Sequence, residues 1–123
     1  MNCAEGDCAR RDLVSGWSAV LLWGIPTALI LLGVFVPVVR AALWIPSFAV
    51  MGVSCLANAS RCGRLHCHAT GPLFLAAALA TALDALAIVA VPWTAILSLA
   101  AVGTAMAFGV EWMRGRYVGT PAA

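Results

Sequence analysis

Residues 17–39 carry no charged side chain, an unbroken apolar run of 23 residues. At about 1.5 Å per helical residue such a run covers roughly the 30 Å hydrocarbon core of a bilayer. Within that medium every backbone N–H and C=O must be satisfied inside the segment, which restricts the run to a helix. Three further apolar stretches follow, and together they predict spans at about 15–39, 41–58, 72–91 and 93–110. Composition agrees: 63% of the residues are hydrophobic and 10% are charged, whereas soluble domains sit near half apolar and a quarter charged. The expected fold is all-α, an integral membrane four-helix bundle made of two transmembrane hairpins. Pro37 and Pro46 bracket the first tight link and Pro92 marks the second. An N-terminal arm (1–14) precedes the membrane domain (15–116), a polar loop (59–71) joins the hairpins, and a short tail (117–123) ends the chain. Pro26 is expected to bend the first span, because it removes a backbone hydrogen bond.

The arginines set the expected orientation. With an even number of spans, Arg10, Arg11, Arg61, Arg64, Arg114 and Arg116 share one side and only Arg40 lies opposite. The positive-inside rule then places both termini and the polar loop in the cytoplasm. Trp17 and Trp112 fall near the inner interface and Trp44 and Trp93 near the outer one; Trp23 lies deeper than this belt. No cleavable signal segment is evident, since the first apolar run is too long for one. All seven basic residues are arginine, a usage that suggests a GC-rich bacterial genome and hence the bacterial inner membrane. A net charge of +2, thinly scattered, argues against nucleic-acid binding. No phosphate loop, HExxH or nucleophile elbow occurs, so no enzyme class is indicated.

The chemistry concentrates in Arg61-Cys62-Gly63-Arg64-Leu65-His66-Cys67-His68-Ala69-Thr70-Gly71-Pro72. Thiols and imidazoles are the donors that soft and borderline metals prefer. The x4 spacing of Cys62 and Cys67 lets a loop fold both sulfurs around one ion, with His66 or His68 adding nitrogen. Arg61 and Arg64 favour thiolate, as does the dipole of a third helix starting near Thr70, its expected N-cap. Cys55, one to two turns earlier, is placed to relay an ion. Cys3 and Cys8 form a second x4 pair on the N-terminal arm. Five cysteines, four of them in or beside a reducing compartment, argue for free thiols rather than structural disulfides. The bland reading is that the thiols merely pack as small apolar groups and the arginines anchor topology.

Asp84 sits in an apolar helical context. A carboxylate at mid-membrane costs at least about 2.5–3.5 kcal/mol and is usually functional or internally paired. Its helical neighbours are small, so it is expected to face the bundle, at a depth comparable with Met51 and Thr104. The alternative is a neutral acid that glues helices together. Glu111 is expected to pair with Arg114 at the membrane edge.

The segment from Cys55 to Leu75, about a sixth of the chain, resembles small prokaryotic membrane proteins carrying an RCxRxHCxxTGPxFL loop. In size and thiol use the chain is also broadly similar to bacterial mercuric-ion transporters. Those carry a vicinal cysteine pair in the first span, where this chain has no cysteine. That resemblance implies uptake or handling of a soft metal ion. The leading expectation from the residues themselves is that Hg(II) or Cu(I) binds at Cys62 and Cys67, assisted by His66 and His68. Cys55 would relay and Cys3 and Cys8 would exchange with a cytoplasmic metal-handling protein. Two rival expectations stand beside it: a membrane thiol–disulfide redox protein, and a non-catalytic subunit or scaffold. Small residues on span four make a homodimer plausible under each.

Overall fold

The computed structural model describes residues 12–14 and 16–117; Cys3, Cys8, Arg10 and Arg11 lie outside them. Among the described residues the fold is all-helical, and four helices follow one another. Helix α1 runs Gly16–Phe35, α2 Arg40–Cys62, α3 Leu65–Ala85 and α4 Trp93–Arg114. By length and composition α1, α4 and the stretch Pro37–Cys62 can each cross a membrane. Helix α3 is not among them: His66 and His68 in its first turn and Asp84 in its last make it less apolar.

Helix α1 is not uniform. Val20–Gly24 form a π-helical segment immediately before Pro26. Proline has no N–H to give and its ring crowds the carbonyl four residues back, and a widened turn absorbs both defects. The expected bend at Pro26 thus takes the form of a π-turn carrying Trp23.

Neighbouring helices pack in sequence order, α1 on α2, α2 on α3 and α3 on α4, most extensively between α2 and α3. Small residues allow the close approach. A methyl group added at Gly52 on α2 would sit 2.8 Å from Leu75, and one at Gly71 on α3 would sit 2.7 Å from Leu56. The apolar core between the helices contains Ile30, Trp44, Phe48, Met51, Phe74 and Ile96.

The expected polar loop 59–71 is almost entirely helical. Helix α2 continues to Cys62, and Gly63 adopts a left-handed conformation (φ 62°) with its N–H bonded to the Ala59 carbonyl. Only Gly63 and Arg64 separate α2 from α3. Glycine reaches that conformation without steric cost, which lets the chain reverse in two residues. Thr70, expected as the N-cap of the third helix, lies inside α3 and bonds its hydroxyl back to the His66 carbonyl at 3.0 Å. Pro72 is accommodated within α3.

Candidate functional site

The C-terminus of α2, the N-terminus of α3, the C-terminus of α4 and the segment before α1 meet at one end of the bundle. The Leu65 N–H donates to the Arg116 carbonyl at 3.0 Å, and Leu13 N–H donates to Asn58 Oδ1 at 3.0 Å. The polar side chains gathered there form one connected network. Asp12, Asn58, His66, Thr70 and Glu111 are buried, as are Cys55 and Cys67.

Arg64 is its electrostatic centre. The guanidinium pairs with Asp12 through Nη1 and with Glu111 through Nε, the latter at 3.4 Å. Burial works against its charge, but the two carboxylates outweigh that and hold Arg64 above the usual guanidinium range. Asp12 Oδ1 also accepts from Val14 N–H and Asn58 Nδ2, each at 2.8 Å. Glu111 Oε2 accepts the His66 backbone N–H at 3.2 Å and contacts its Nδ1. A carboxylate at Nδ1 fixes the proton there and turns Nε2 toward its other neighbour. That neighbour is the Cys67 sulfur, 3.4 Å away.

The partner of Cys67 is the main departure from expectation. Cys67 lies in one buried cluster with Cys55, one helix away, and Ala59. Asn58 Nδ2 reaches Cys67 Sγ at 3.6 Å and Thr70 Oγ1 reaches Cys55 Sγ at 3.4 Å. Cys62 is buried at the end of α2 but does not take part in this thiol pair. The reason is helical: with residues 65–71 wound into α3, Cys67 faces across to Cys55 on α2 instead of folding back beside Cys62. His68 and Arg61 are exposed, so neither joins the cluster, and Arg64 faces carboxylates rather than a thiol.

Other residues prove more important than the sequence suggested. Glu111 does not pair with Arg114 at an edge; it is buried between Arg64 and His66. Trp23, the tryptophan outside the aromatic belt, wedges edge-on against His66, Phe74 and Phe108, with ring centroids 6.1, 5.6 and 6.0 Å away. Phe108 in turn stacks on His66 at 4.2 Å. An open depression of about 440 Å³, lined by Arg64, Phe108, Glu111, Trp112, Gly115 and Arg116, leads to the two residues that hold the imidazole.

Asp84 does not face the bundle. It is exposed near the C-terminus of α3, and its Oδ1 accepts the Val91 N–H at 3.0 Å across the turn into α4. Met51 is buried in the core and Thr104 is half-buried, and no mid-bundle cluster forms around the acid. The helix ends at Ala85, six residues before the expected end of the span, which leaves Asp84 at a helix terminus.

Among the described residues, no three His, Cys, Asp or Glu side chains are arranged to hold one metal ion. A four-ligand tetrahedral zinc centre therefore finds no donor set there. Two sulfurs in one buried cluster remain, a set suited to a linear, two-coordinate soft ion. Comparison of the chain with protein families, with curated proteins and with solved structures gives no match.

Proposed function

We propose that the chain is a multi-pass inner-membrane protein that binds and passes a soft thiophilic ion, Cu(I) or Hg(II), at the Cys55–Cys67 pair. The burial of these two thiols in one cluster, one on each of the two most extensively packed helices, carries the reading. The membrane assignment draws on the three long apolar helices and on the large apolar side chains they expose, such as Leu21, Leu31, Leu99, Val102 and Met106. Arg61, Arg64, Arg114 and Arg116 then mark the cytoplasmic end, and the helices form two hairpins with both termini inside.

Binding exchanges two S–H bonds for two S–metal bonds and releases two protons. His66 Nε2, beside the Cys67 sulfur, is positioned to take one, with Glu111 holding the imidazole in the required tautomer. Arg64 keeps Glu111 and Asp12 from repelling the thiolates. The depression below Phe108 and Glu111 offers an approach from the cytoplasmic side, where Cys3, Cys8 and a metal-handling partner would exchange the ion by thiol-for-thiol displacement. His68 and Cys62 take supporting places at the surface and at the end of α2.

The test is metal titration of the detergent-purified protein. The wild type should bind one tightly held equivalent, and Cys55→Ser and Cys67→Ser should each lose it, while Cys62→Ser keeps it. Equal stoichiometry in all four proteins would end the proposal. Thiol–disulfide chemistry is the second reading, supported by the same two clustered thiols. There the two thiols would pass two electrons and two protons to a membrane quinone and form a disulfide. Quinone-dependent loss of both free thiols without metal would favour it.

A further inference from the structure

Among the described residues the first and last helices do not pack backbone to backbone; the helix pairs that do so are sequence neighbours. A seam is left between α1 and α4, bridged at the polar end by Trp23 edge-on to Phe108 at 6.0 Å. The depression described above opens beside this bridge, and Phe108 belongs to both. Phe108 stays 38% exposed although it stacks on His66, and Trp112, one turn on, is 92% exposed. Farther from the polar end α1 exposes Leu21, Ile25 and Leu31, and α4 exposes Leu99, Val102 and Met106.

At the surface of this end the charge has one sign. Asp12 and Glu111 are buried, and both Glu111 oxygens are occupied, Oε1 by Arg64 and Oε2 by His66. Asp84, the third described acidic side chain, lies near the other end of α3. Arg61, Arg114 and Arg116 are exposed and enter no ion pair among the described residues. Of these three, Arg116 lines the depression. Its backbone carbonyl accepts the Leu65 N–H at 3.0 Å, which fixes the residue at the rim.

A cation at the rim, aromatic walls and an apolar seam leading away match a molecule with an anionic head and a hydrocarbon tail. A soluble anion would use Arg116 and leave Phe108, Trp112 and the seam unmatched. A zwitterionic lipid would bring its ammonium group to a surface with no free carboxylate among the described residues. We propose that the depression is a seat for an acidic glycerophospholipid, its phosphate on Arg116 and its acyl chains along the seam between α1 and α4. Basic hollows beside membrane helices suit such headgroups, and tryptophan favours the same interfacial level. The inference rests on the membrane reading above and not on the identity of the ion. The seat and the ion's approach share one opening, so a lipid in place covers it.

The test is native mass spectrometry of the full-length protein in detergent, titrated with phosphatidylglycerol, phosphatidylethanolamine and glycerol 3-phosphate. The wild type should hold phosphatidylglycerol at least about tenfold more tightly than either of the others. Arg116→Gln should weaken that binding by roughly ten- to hundredfold, as loss of a charge-assisted hydrogen bond does. Arg61→Gln, outside the depression, should lose no more than roughly fivefold through weaker general attraction. Arg116→Lys keeps the charge and should stay within roughly fivefold of the wild type. Equal losses in Arg116→Gln and Arg61→Gln would mean a diffuse basic surface and overturn the seat. Phosphatidylethanolamine or glycerol 3-phosphate binding as tightly as phosphatidylglycerol would overturn it too. Should Arg116→Gln fail to fold, the comparison of the three ligands on the wild type decides alone. A wild type that stays soluble without detergent and does not enter liposomes would overturn the membrane reading instead.

Discussion

At one end of the bundle Arg40 lies over the rings of Trp44 and Trp93, 5.6 and 4.7 Å from their centroids, and its Nε donates to the Gly33 carbonyl at 3.0 Å. Trp44 Nε1 donates to the Ile30 carbonyl at 2.8 Å, and Asp84 caps the turn into α4. Each of these polar groups serves a backbone or a ring, and the result is a closed helix end. At the other end Arg64 plays the corresponding part, but between two buried carboxylates, and it is surrounded by an imidazole, two thiols, an amide and an indole N–H. Closure of the link needs only Gly63 and the bond from Leu65 to Arg116. The remaining polar groups exceed what closure requires, and that excess, absent from the Arg40 end, is what points to chemistry at the Arg64 end.

The sharpest way to break this contrast is to remove the central cation of the polar end. Arg64→Ala would take from the buried Asp12 and Glu111 the guanidinium they share, and stripping one partner from a buried pair costs about 3–5 kcal/mol. Reversible unfolding in mixed detergent micelles should register a loss of that size. A loss below about 1 kcal/mol, the range of exposed ion pairs, would mean that the network is solvated and that the two ends do not differ as described.

The Arg40 end should respond to volume rather than to charge. A methyl group added at Gly33 would come within 2.8 Å of Trp44 Cδ1. The indole would have to give up its bond to Ile30 or push α1 from α2. Overpacking of this kind costs about 1–3 kcal/mol, so Gly33→Ala should lower the unfolding midpoint by an intermediate amount. Ion binding at Cys55 and Cys67, at the far end of the same helices, should not change.

The sequence disclosed much of this arrangement, and its failures have identifiable causes. Four apolar runs located four helices, because periodicity and length are local properties. The grouping of Arg61, Arg64, Arg114 and Arg116 at one end followed from counting spans. The pairing of Cys67 with Cys55 did not follow, because it depends on whether residues 65–71 are loop or helix. Thr70, Gly71 and Pro72 read as a helix start, yet tertiary packing of α2 on α3 through Gly52 and Gly71 extends the helix by seven residues. Glu111 was assigned to its i+3 neighbour because sequence offers only local partners; its actual partners, Arg64 and His66, are 47 and 45 residues away. One signal is available: Trp23 does not fit the aromatic belt, and a tryptophan out of place close to a proline in an apolar helix is worth following.

The smallest effect is expected where the sequence argued for the largest. An acid in the middle of an apolar segment should be costly to keep and damaging to alter. Yet α3 stops at Ala85 and Asp84 sits exposed at that terminus, with one bond to the Val91 N–H. Asp84→Asn keeps an acceptor for that bond and removes only a solvated charge, so stability should change by no more than about 0.5 kcal/mol, as at other surface positions. Ion affinity at the opposite end should stay within experimental error. A strong loss of either would place Asp84 inside the bundle after all. The Arg40 end would then hold a buried ionisable group of its own, and the asymmetry that directs attention to Cys55, Cys67 and His66 would disappear.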